Sequence, residues 1–451
     1  MNKYKTAKII RVVWGLLALA IFLSIFLMEE NIADLAADWQ FFPSIIKGFS
    51  LLAFGVIVFF IVEALLFGRI FCSFTCPLGV LQDIAIYTGK IFKLSKSRKA
   101  FSRNHKVLRY SFLAILISAL VLGVAMPLAM FEPFAIFGRV SASHKSLLLL
   151  VSGTLVFTAL IITASLFGRL FCNTLCPAGA ILGLLAKFSW FKFTLNPDAC
   201  TKCAKCTKVC EANCIDIKNG VIDNERCVTC FNCTAVCPDN AIHYIHSKDK
   251  KKTKPDLSKR DFFIIGASAL VGATVLPKLL KGTPSPNTVM PPGAFNFEAF
   301  TSRCTACQLC VSNCPGNVLK PASTQYGLSG FLQPRLDFDS GFCQFECTTC
   351  SNICPNGALK PLSLKAKQSL QIGLAKYTRK NCTIVRDETH CGACAEECPT
   401  GAITMVDWQD GLTIPKVNHK LCIGCGACEH VCPAEPDKAI VVSGKNPQTK
   451  V

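Results

Sequence analysis

The sequence predicts an α+β protein in which an α-helical membrane anchor is joined to two cysteine-rich domains. Two observations predict this class. Long apolar stretches occupy much of the N-terminal half of the 451 residues, and 51% of the chain is hydrophobic. The 29 cysteines mostly recur at short, regular spacings. A chain of this length has room for about three domains of ordinary size.

Four apolar stretches are each close to the roughly 20 residues that a membrane-spanning helix needs. They cover Val12 to Met28, Phe49 to Phe67, Val107 to Met130 and Leu147 to Phe167. A fifth stretch, Phe262 to Leu280, contains Pro277 and several small residues, so a fifth span and a buried helix are alternatives for it. We expect the first span to be a retained anchor, because no small-residue cleavage site follows it and more spans do.

The formal net charge of +19 does not indicate nucleic-acid binding, because the basic residues lie in blocks beside the apolar stretches. Under the positive-inside rule such blocks face the cytoplasm. They lie within residues 3–11, 90–109 and 248–260, whereas the loop after the first stretch holds Glu29, Glu30, Asp34 and Asp38. We therefore expect a protein of the bacterial inner membrane, in contact with lipid, with its N-terminus and residues 191–260 in the cytoplasm.

Two neighbouring cysteine runs share the spacing Cys-x-x-Cys-x-x-Cys-x-x-x-Cys. They are Cys200, Cys203, Cys206, Cys210 and Cys227, Cys230, Cys233, Cys237. In bacterial ferredoxins, three thiolates of such a run hold one 4Fe-4S cluster and the fourth binds the neighbouring cluster. One cluster is then predicted to take Cys200, Cys203, Cys206 and Cys237, and the other Cys227, Cys230, Cys233 and Cys210.

Some alternatives remain at these two runs. Four thiolates also suit zinc, although two tandem runs with exchangeable fourth ligands favour clusters. A disulfide scaffold is disfavoured, because such scaffolds are short, secreted and free of multiple membrane spans. Glu211 stands where a proline is expected after Cys210, and Cys214 is an extra thiol that we interpret as a spare cysteine and not as a ligand.

Four more runs lie towards the C-terminus, and each ends in a Cys-Pro pair. Two keep the regular spacing, Cys304, Cys307, Cys310, Cys314 and Cys422, Cys425, Cys428, Cys432; two open with a longer gap, Cys343, Cys347, Cys350, Cys354 and Cys382, Cys391, Cys394, Cys398. A longer first gap only enlarges a loop, so both are kept as cluster sites. A hairpin-like segment after Pro399 joins the last two runs, which we pair, and the first two are paired by analogy. The prediction is six 4Fe-4S clusters.

The membrane region contains an internal repeat at an offset of 100 residues: the segment from Leu66 to Pro77 is nearly repeated from Leu166 to Pro177. Each copy follows a pair of apolar stretches, so the anchor is predicted as a duplicated hairpin with both copies in the same orientation. The motif cysteines are Cys72, Cys76, Cys172 and Cys176. We expect these four thiols to meet at the cytoplasmic surface, either holding a further cluster or another soft metal, or serving as structural or redox-active thiols.

Several ionisable residues of the membrane region are candidates for function. Glu63 lies in the second stretch, where it would transfer protons or simply reach water at the interface. Glu132 and Arg139, in the loop after the third stretch, are candidates for framing a quinone-head pocket. Arg69 and Arg169 are expected to reach the lipid surface or to meet an anionic group.

A Lys-Arg pair precedes the fifth stretch in a variant of the twin-arginine export signal, from Ser258 to Phe263. A periplasmic cluster domain must receive its clusters before export, because bare thiols would form disulfides in an oxidising compartment. We therefore expect residues 290–451 to lie in the periplasm. The alternative keeps them in the cytoplasm, with residues 262–280 packed as an ordinary helix. The predicted parts are a four-helix membrane domain (1–190), a two-cluster domain (191–247), a basic linker with the fifth stretch (248–289) and a four-cluster domain (290–451).

On these motifs the chain resembles a fusion of two kinds of ferredoxin. The first 245 residues resemble NapH-type membrane ferredoxins, with four spans, two Cys-x-x-x-Cys-Pro motifs and a two-cluster domain. Residues 256–451 resemble NapG-type periplasmic ferredoxins, with a twin-arginine leader and four cluster motifs. The resemblance implies a quinol dehydrogenase component that draws on the membrane quinone pool and passes electrons to a periplasmic redox partner.

The sequence thus predicts an electron-transfer component of a respiratory system and not a stand-alone enzyme. It contains neither a Gly-x-Gly-x-x-Gly turn for a dinucleotide nor a Cys-x-x-Cys-His motif for a c-type haem. The alternative is a metal-reducing accessory factor of the copper-oxidase assembly type. Such factors share the membrane-edge motif but carry an additional sandwich domain where this chain has four more cluster motifs.

Overall fold

The computed structural model describes residues 3–27, 51–92, 105–246, 259–280, 285 and 287–450. The acidic loop after the first apolar stretch, the basic residues within 93–104 and 248–258, and Ser258 of the export motif lie outside these residues. Within the described chain the predicted α+β class is confirmed. Helices make up the part before residue 187, and short strands and short helices form most of the rest.

The helices of the N-terminal part follow most of the predicted apolar stretches. They are α1 (Lys3–Leu27), α2 (Leu51–Phe67), α3 (Phe71–Phe74), α4 (Pro77–Ile91), α5 (Lys106–Val121), α6 (Met126–Phe131), α7 (Pro133–Ser141), α8 (Leu147–Phe167), α9 (Leu170–Thr174) and α10 (Pro177–Ala186). In the described chain, Tyr4–Phe26 and Leu147–Phe167 are long and apolar enough to cross a membrane. Four spans are therefore not shown, since Phe54–Phe67 and Pro177–Ala186 are shorter apolar helices.

The third apolar stretch is not a single helix. Helix α5 ends at Val121, and Gly123 then adopts a positive φ of 82° before α6 begins. Proline cannot donate an intrahelical hydrogen bond but suits the first helical turn, and Pro127 and Pro133 accordingly open α6 and α7. The predicted stretch to Met130 is therefore not one continuous helix, because Gly123 and Pro127 divide it and Pro133 follows its end.

Both copies of the internal repeat have the same local structure. The apolar helices α2 and α8 are each followed by a glycine with positive φ, Gly68 or Gly168. A short helix comes next, and the second cysteine of the motif then precedes the proline that opens α4 or α10. The repeat in sequence is therefore also a repeat in structure.

The first cysteine-rich domain, residues 191–246, is built on two antiparallel strand pairs. Strand β1 (Phe191–Leu195) pairs with β4 (Ile242–His246), and β2 (Ile215–Asp216) pairs with β3 (Val221–Ile222). Helices α11 (Lys205–Val209) and α12 (Asn232–Val236) each contain the third cysteine of a run. The core between them combines aromatic side chains, chiefly Phe193 and Phe231, with the cysteines themselves.

Helix α13 (Lys259–Leu280) covers the fifth apolar stretch and packs along α5. The two helices approach so closely at Gly272 that a Cβ atom there would lie 2.2 Å from the Ser118 hydroxyl oxygen. Among the described helices, α13 is not one of those long and apolar enough to cross a membrane. A fifth membrane span and a packed helix both stay predictions, because a helix of either kind would make this contact with α5.

The C-terminal domain consists of short elements between the cysteine runs. They are α14 (Phe297–Arg303), α15 (Leu309–Ser312), β5 (Leu319–Pro321), β6 (Pro334–Leu336), α16 (Thr349–Asn352), α17 (Leu364–Gln368), β7 (Leu370–Tyr377), α18 (Thr383–Arg386), α19 (Ala393–Glu396), β8 (Ile403–Asp407), β9 (Thr413–Val417), α20 (Ala427–His430) and β10 (Ile440–Lys450). Antiparallel pairs form between β5 and β6, β7 and β10, and β8 and β9. The β8–β9 hairpin confirms the hairpin-like segment predicted between the last two runs.

The two cysteine-rich domains contact opposite ends of α1, whose 25 residues span about 37 Å. Near its start, the Tyr4 hydroxyl oxygen accepts a hydrogen bond of 3.4 Å from the Tyr244 backbone N–H of the first domain. Near its end, the Ile25 carbonyl accepts one of 3.2 Å from the Asn313 side chain of the C-terminal domain. The helical region therefore lies between the two domains.

Candidate iron–sulfur centres

The two runs of the first domain curl in the same way. In each, the residues directly before and after the second cysteine have positive φ: Lys202 and Ala204 in one, Thr229 and Phe231 in the other. Left-handed residues turn the chain sharply, so a run of this spacing wraps around one point. Two regular runs of the C-terminal domain repeat the feature, at Ala306 and Gln308 and at Gly424 and Gly426.

The structure brings the predicted fourth cysteines across to the neighbouring run. Burial and then the nearby Cys237 thiol raise the pKa of Cys206 to about 11. On the other side, Cys210 lines a small cavity together with Cys227, Cys230 and Cys233. The exchange of fourth cysteines predicted for the first domain is therefore present in its geometry.

The four C-terminal runs exchange their last cysteines in the same manner. The thiol of Cys354 lies close enough to those of Cys304, Cys307 and Cys310 to interact electrostatically with them. The other groups lie together around small cavities or as electrostatic neighbours: Cys314 with Cys343, Cys347 and Cys350; Cys432 with Cys382, Cys391 and Cys394; Cys398 with Cys422, Cys425 and Cys428. Both predicted pairings of runs are present, including those with longer first gaps.

Zinc and a 4Fe-4S cluster make different demands on the spacing of four thiolates. Among the described residues, no three His, Cys, Asp or Glu side chains are arranged to hold a single ion. Zinc requires each sulfur about 2.3 Å from the metal, which draws four sulfur atoms closely together. A 4Fe-4S cluster spreads its four thiolates over several irons, and the zinc alternative stays a prediction beside it.

The four cysteines of the membrane repeat also meet. Cys72, Cys76, Cys172 and Cys176 are all buried, and their thiols are close enough to interact electrostatically with one another. They come from equivalent positions of the two copies, which face each other across the repeat. We call this group the membrane tetracysteine site.

Two buried arginines cross between the copies beside this site. Arg69 donates a hydrogen bond of 2.9 Å to the Cys172 carbonyl, and Arg169 donates one of 2.6 Å to the Cys72 carbonyl. Both side chains are 0% exposed, so the expectation that they reach the lipid surface is wrong. They are held inside because each guanidinium binds a backbone carbonyl group of the other copy. The alternative expectation, an anionic partner, is met for Arg169, which lies 2.6 Å from Asp83.

The glycine two residues after each motif proline explains how the arginines fit. A Cβ atom at Gly79 would lie 2.2 Å from the Cys72 carbonyl oxygen, and one at Gly179 would lie 2.2 Å from that of Cys172. Any larger residue would push α4 or α10 away from the cysteines. The sequence contained this signal, because a glycine stands two residues after the end of each copy of the repeat.

A buried ion-pair network joins the helical region to the first domain. Asp83 binds both Arg169 and Arg11, the latter at 2.9 Å, and Glu211 lies 3.8 Å from each of the same two arginines. Glu211 also accepts a hydrogen bond of 2.7 Å from the Asn232 side chain. The residue that replaces the expected proline after Cys210 is therefore a docking residue. Burial and the nearby Asp83 raise the pKa of Glu211 to about 8.

The extra thiol Cys214 lies within the first domain's core. Its sulfur is 3.6 Å from that of Cys210, and it lines the same small cavity as Cys227 and Cys230. Its interpretation as a spare cysteine stays a prediction, but the structure puts it in contact with a predicted ligand.

Of the other predicted candidates, Glu63 lies apart, whereas Glu132 and Arg139 are electrostatic neighbours. Glu63 is partly buried on α2, beside the Phe71 backbone N–H. Glu132 caps α7 by accepting a 2.5 Å hydrogen bond from the Ala135 N–H, and burial raises its pKa to about 7. Arg139 donates to the Ala129 carbonyl at 2.8 Å. The latter two bind backbone groups of their own segment, close to Cys307 of the C-terminal domain.

Comparison with known proteins agrees with this arrangement of cysteines. A family described as "4Fe-4S dicluster domain" matches residues 389–435. Families described as "4Fe-4S binding domain" match residues 48–98 and 149–196, and residues 197–213 and 301–326. The first of these pairs covers both copies of the membrane repeat. No solved structure matches the chain.

Three similar proteins carry ferredoxin-type names. The ferredoxin-type protein NapG of Escherichia coli is 30% identical over 198 residues, 41% of this chain and 85% of NapG. The methylamine utilization ferredoxin-type protein MauM of Methylobacillus flagellatus is 33% identical over 175 residues, 36% of this chain and 73% of MauM. The ferredoxin-type protein NapF of Escherichia coli is 29% identical over 147 residues, 33% of this chain and 81% of NapF.

The fold and the cysteine groups define an iron–sulfur protein of electron transfer. The chain belongs to the family of ferredoxin-type proteins that includes NapG and MauM. Iron–sulfur clusters are its cofactors, and an electron-transfer protein of this kind works with a redox partner.

Proposed function

We propose that this chain carries electrons from quinol in the bacterial inner membrane, through six 4Fe-4S clusters, to a redox partner in the periplasm. The observation that carries the proposal is the position of the two cysteine-rich domains at opposite ends of α1, with the membrane tetracysteine site between them. The 24 cysteines of the six runs are the proposed ligands. The N-terminal half is then the NapH-like part and the C-terminal half the NapG-like part of a fused chain.

We further assign a seventh centre to the membrane tetracysteine site. Four ligating thiolates carry negative charge, and a buried charge is stable only when it is paired. Arg69 and Arg169 supply two buried positive charges beside the thiols, and a family described as binding 4Fe-4S matches both copies of the motif. A cluster at this site would supply single-electron transfer between the two halves.

Packing supports a route through this site. Cys72, Cys76 and Cys176 share a hydrophobic cluster with Val228 and Cys230 of the first domain. The same cluster includes Ile136 of α7. The neighbouring residues of that helix, such as Phe137, pack with Cys307 and Cys310 of the C-terminal domain. Helix α7 therefore lies between the membrane tetracysteine site and the nearest C-terminal run.

The distribution of basic residues supports the proposed orientation of the chain across the membrane. The first domain contacts the start of α1, which contains a block of basic residues that the positive-inside rule assigns to the cytoplasm. The C-terminal domain contacts the other end of α1 and follows the Lys-Arg export motif. Residues 191–246 are thus proposed to be cytoplasmic, and residues 290–451 periplasmic.

The chemistry at the donor end is two-electron oxidation of a quinol. Each quinol becomes a quinone and releases two electrons and two protons. The clusters accept the electrons one at a time, and the protons leave to water at the membrane surface. The test is anaerobic addition of menaquinol or ubiquinol to purified, cluster-loaded protein, followed by cluster absorbance and electron paramagnetic resonance.

We expect quinol to bleach the cluster absorbance and to produce the signals of reduced clusters. An unchanged spectrum after quinol addition, with reoxidation of dithionite-reduced clusters by copper ions, would instead support the metal-reducing accessory role. A reporter enzyme fused after Val451 tests the orientation of the chain in the membrane. Reporter activity in the cytoplasm alone would contradict a periplasmic C-terminal domain.

A further inference from the structure

A cavity of about 470 Å³ lies between α1, α4 and the first cysteine-rich domain. Much of its wall is apolar, formed by side chains such as Val12, Leu16 and Ile84. These three residues are at least 40% exposed on the outer surface of the helices, where lipid would surround them. The volume is within the range of small-molecule and cofactor sites, roughly 300–1,000 Å³. The cavity therefore suits an apolar ligand that enters from the bilayer.

The inner end of the cavity is polar and incompletely satisfied. Arg11, Ser73, Glu211 and Asn232 line it, and each is more than nine-tenths buried. Within the described chain, one atom of each has no hydrogen-bond partner: Arg11 Nε, Ser73 Oγ, Glu211 Oε2 and Asn232 Oδ1. Buried polar atoms are nearly always hydrogen-bonded in native proteins. Four such atoms around one cavity indicate a ligand that binds them.

The types of these atoms restrict the ligand. Arg11 Nε donates, Asn232 Oδ1 accepts, and the Ser73 hydroxyl does either. Glu211 Oε2 accepts when the carboxyl is ionised and donates when it is protonated. A quinone head has oxygens that accept hydrogen bonds, and a quinol head has hydroxyl groups that donate them. A site with both kinds of atom at its polar end and an apolar entrance fits both redox states of a quinone with a hydrocarbon tail.

The position of the cavity connects it to two candidate centres. Ser73 follows Cys72 of the membrane tetracysteine site, and Glu211 follows Cys210, a predicted ligand of the first domain. A head group bound at the polar end would lie near both. At the opposite end of α1, Glu132 and Arg139 bind their own backbone instead.

The geometry points to this cavity as the quinone-binding site, with Arg11, Ser73, Glu211 and Asn232 holding the head group and the α1–α4 cleft holding the tail. This inference deepens the proposed function and rests on it. It replaces Glu132 and Arg139 as candidates for the head-group pocket.

The test measures binding directly, in full-length, cluster-loaded protein in lipid nanodiscs. The probe is 2-heptyl-4-hydroxyquinoline N-oxide, a quinol analogue whose fluorescence is quenched when it binds. Leu16→Trp fills the cavity, and Leu17→Trp is the matched control, because Leu17 is 51% exposed against 49% for Leu16 and does not line the cavity. We expect at least tenfold weaker binding for Leu16→Trp and wild-type binding for Leu17→Trp.

Ser73→Ala is the second variant, in case Leu16→Trp loses its clusters. Removal of one hydrogen bond predicts binding weaker by about threefold to tenfold, with unchanged iron content. Wild-type affinity in both cavity variants would overturn the site, as would labelling of residues 126–141 by a photoreactive azidoquinone.

The outcomes separate the site from the function. If quinol still reduces the wild-type clusters while both cavity variants bind the analogue normally, the location is wrong and the proposed function stands. If the analogue binds and Leu16→Trp abolishes its binding, but quinol does not reduce the wild-type clusters, the site stands and quinol is not the electron donor.

Discussion

The two ends of α1 are built in opposite ways. At the first-domain end, Arg11, Asp83 and Glu211 form a buried ionic network beside a cavity and several unpartnered polar atoms. At the C-terminal-domain end, Phe26 packs against Phe134 and Phe137 at ring distances of 5.6 and 5.8 Å. One end is polar and open to a ligand, whereas the other is closed by aromatic packing, and its buried polar side chains bind backbone groups.

The difference suggests a division of labour. A small molecule that exchanges with the membrane needs an opening and polar groups that are free to bind it. Electron transfer between fixed centres needs neither, and tight apolar packing holds such centres in place. The following predictions test this contrast, from the largest expected effect to the smallest.

Loss of the membrane tetracysteine site should have the largest effect. The double substitution Cys76→Ala and Cys176→Ala is expected to lower iron content from about 28 to about 24 atoms per chain, since one 4Fe-4S cluster is lost. Quinol should then reduce the first-domain clusters but fail to reach the C-terminal ones. Iron analysis and cluster-specific paramagnetic resonance measure both effects. Cys214→Ala is the control and should keep all of the iron; equal iron in both proteins would contradict the seventh centre.

Breaking the ionic network should destabilise the first-domain end strongly. Asp83→Ala removes the shorter ion pairs of Arg11 and Arg169 and leaves Glu211, 3.8 Å from each, beside two buried positive charges. Breaking a buried ion pair in this way costs about 3–5 kcal/mol. Thermal unfolding of the protein in detergent should show a lower midpoint, with release of residues 191–246 to protease. The exposed Asp198→Ala is the matched control, expected within about 0.5 kcal/mol of the wild type. Equal stability of the two variants would show that the network does not hold the domain.

The closed end should respond to pH through Glu132. Burial raises the pKa of Glu132 from 4.5 to about 7, so the protonated carboxyl is favoured in the folded state. Its contribution to stability is therefore fully present below about pH 4.5 and is lost as pH rises through 7. We expect the wild type to lose about 2–3 kcal/mol relative to Glu132→Gln between pH 4.5 and 8. Parallel pH profiles of unfolding for the two proteins would refute this prediction.

The direct contact between α1 and the C-terminal domain should have the smallest effect. Asn313→Ala removes the hydrogen bonds that the side chain donates to the Ile25 and Leu309 carbonyls. The expected loss is about 1–2 kcal/mol, because the aromatic packing remains. Hydrogen exchange at the end of α1 measures it, with the exposed Asn352→Ala as control. A loss as large as that of Asp83→Ala would remove the contrast between the two ends.

The cysteine groups were predictable because their signal is local. Three cysteines within seven residues must surround one point, and the left-handed residues on either side of the second cysteine only complete that turn. The exchange of the fourth cysteine followed from the tandem runs. The break in the third apolar stretch was also readable, since Gly123, Pro127 and Pro133 all lie in or directly after it, but hydropathy alone hides such a break.

The sequence by itself determined the class of protein, the six cysteine groups and the internal repeat, since each depends on spacing along the chain. Only the tertiary structure decided that Arg69 and Arg169 are buried, that Glu211 replaces a proline in order to dock the first domain, and that a cavity lies beside them. These features join residues far apart in sequence, as Arg11 and Asp83 do across 72 positions. A charged side chain looks the same in sequence whether it meets water or a buried partner, and only the packing of α1, α4 and the first domain provides the partner.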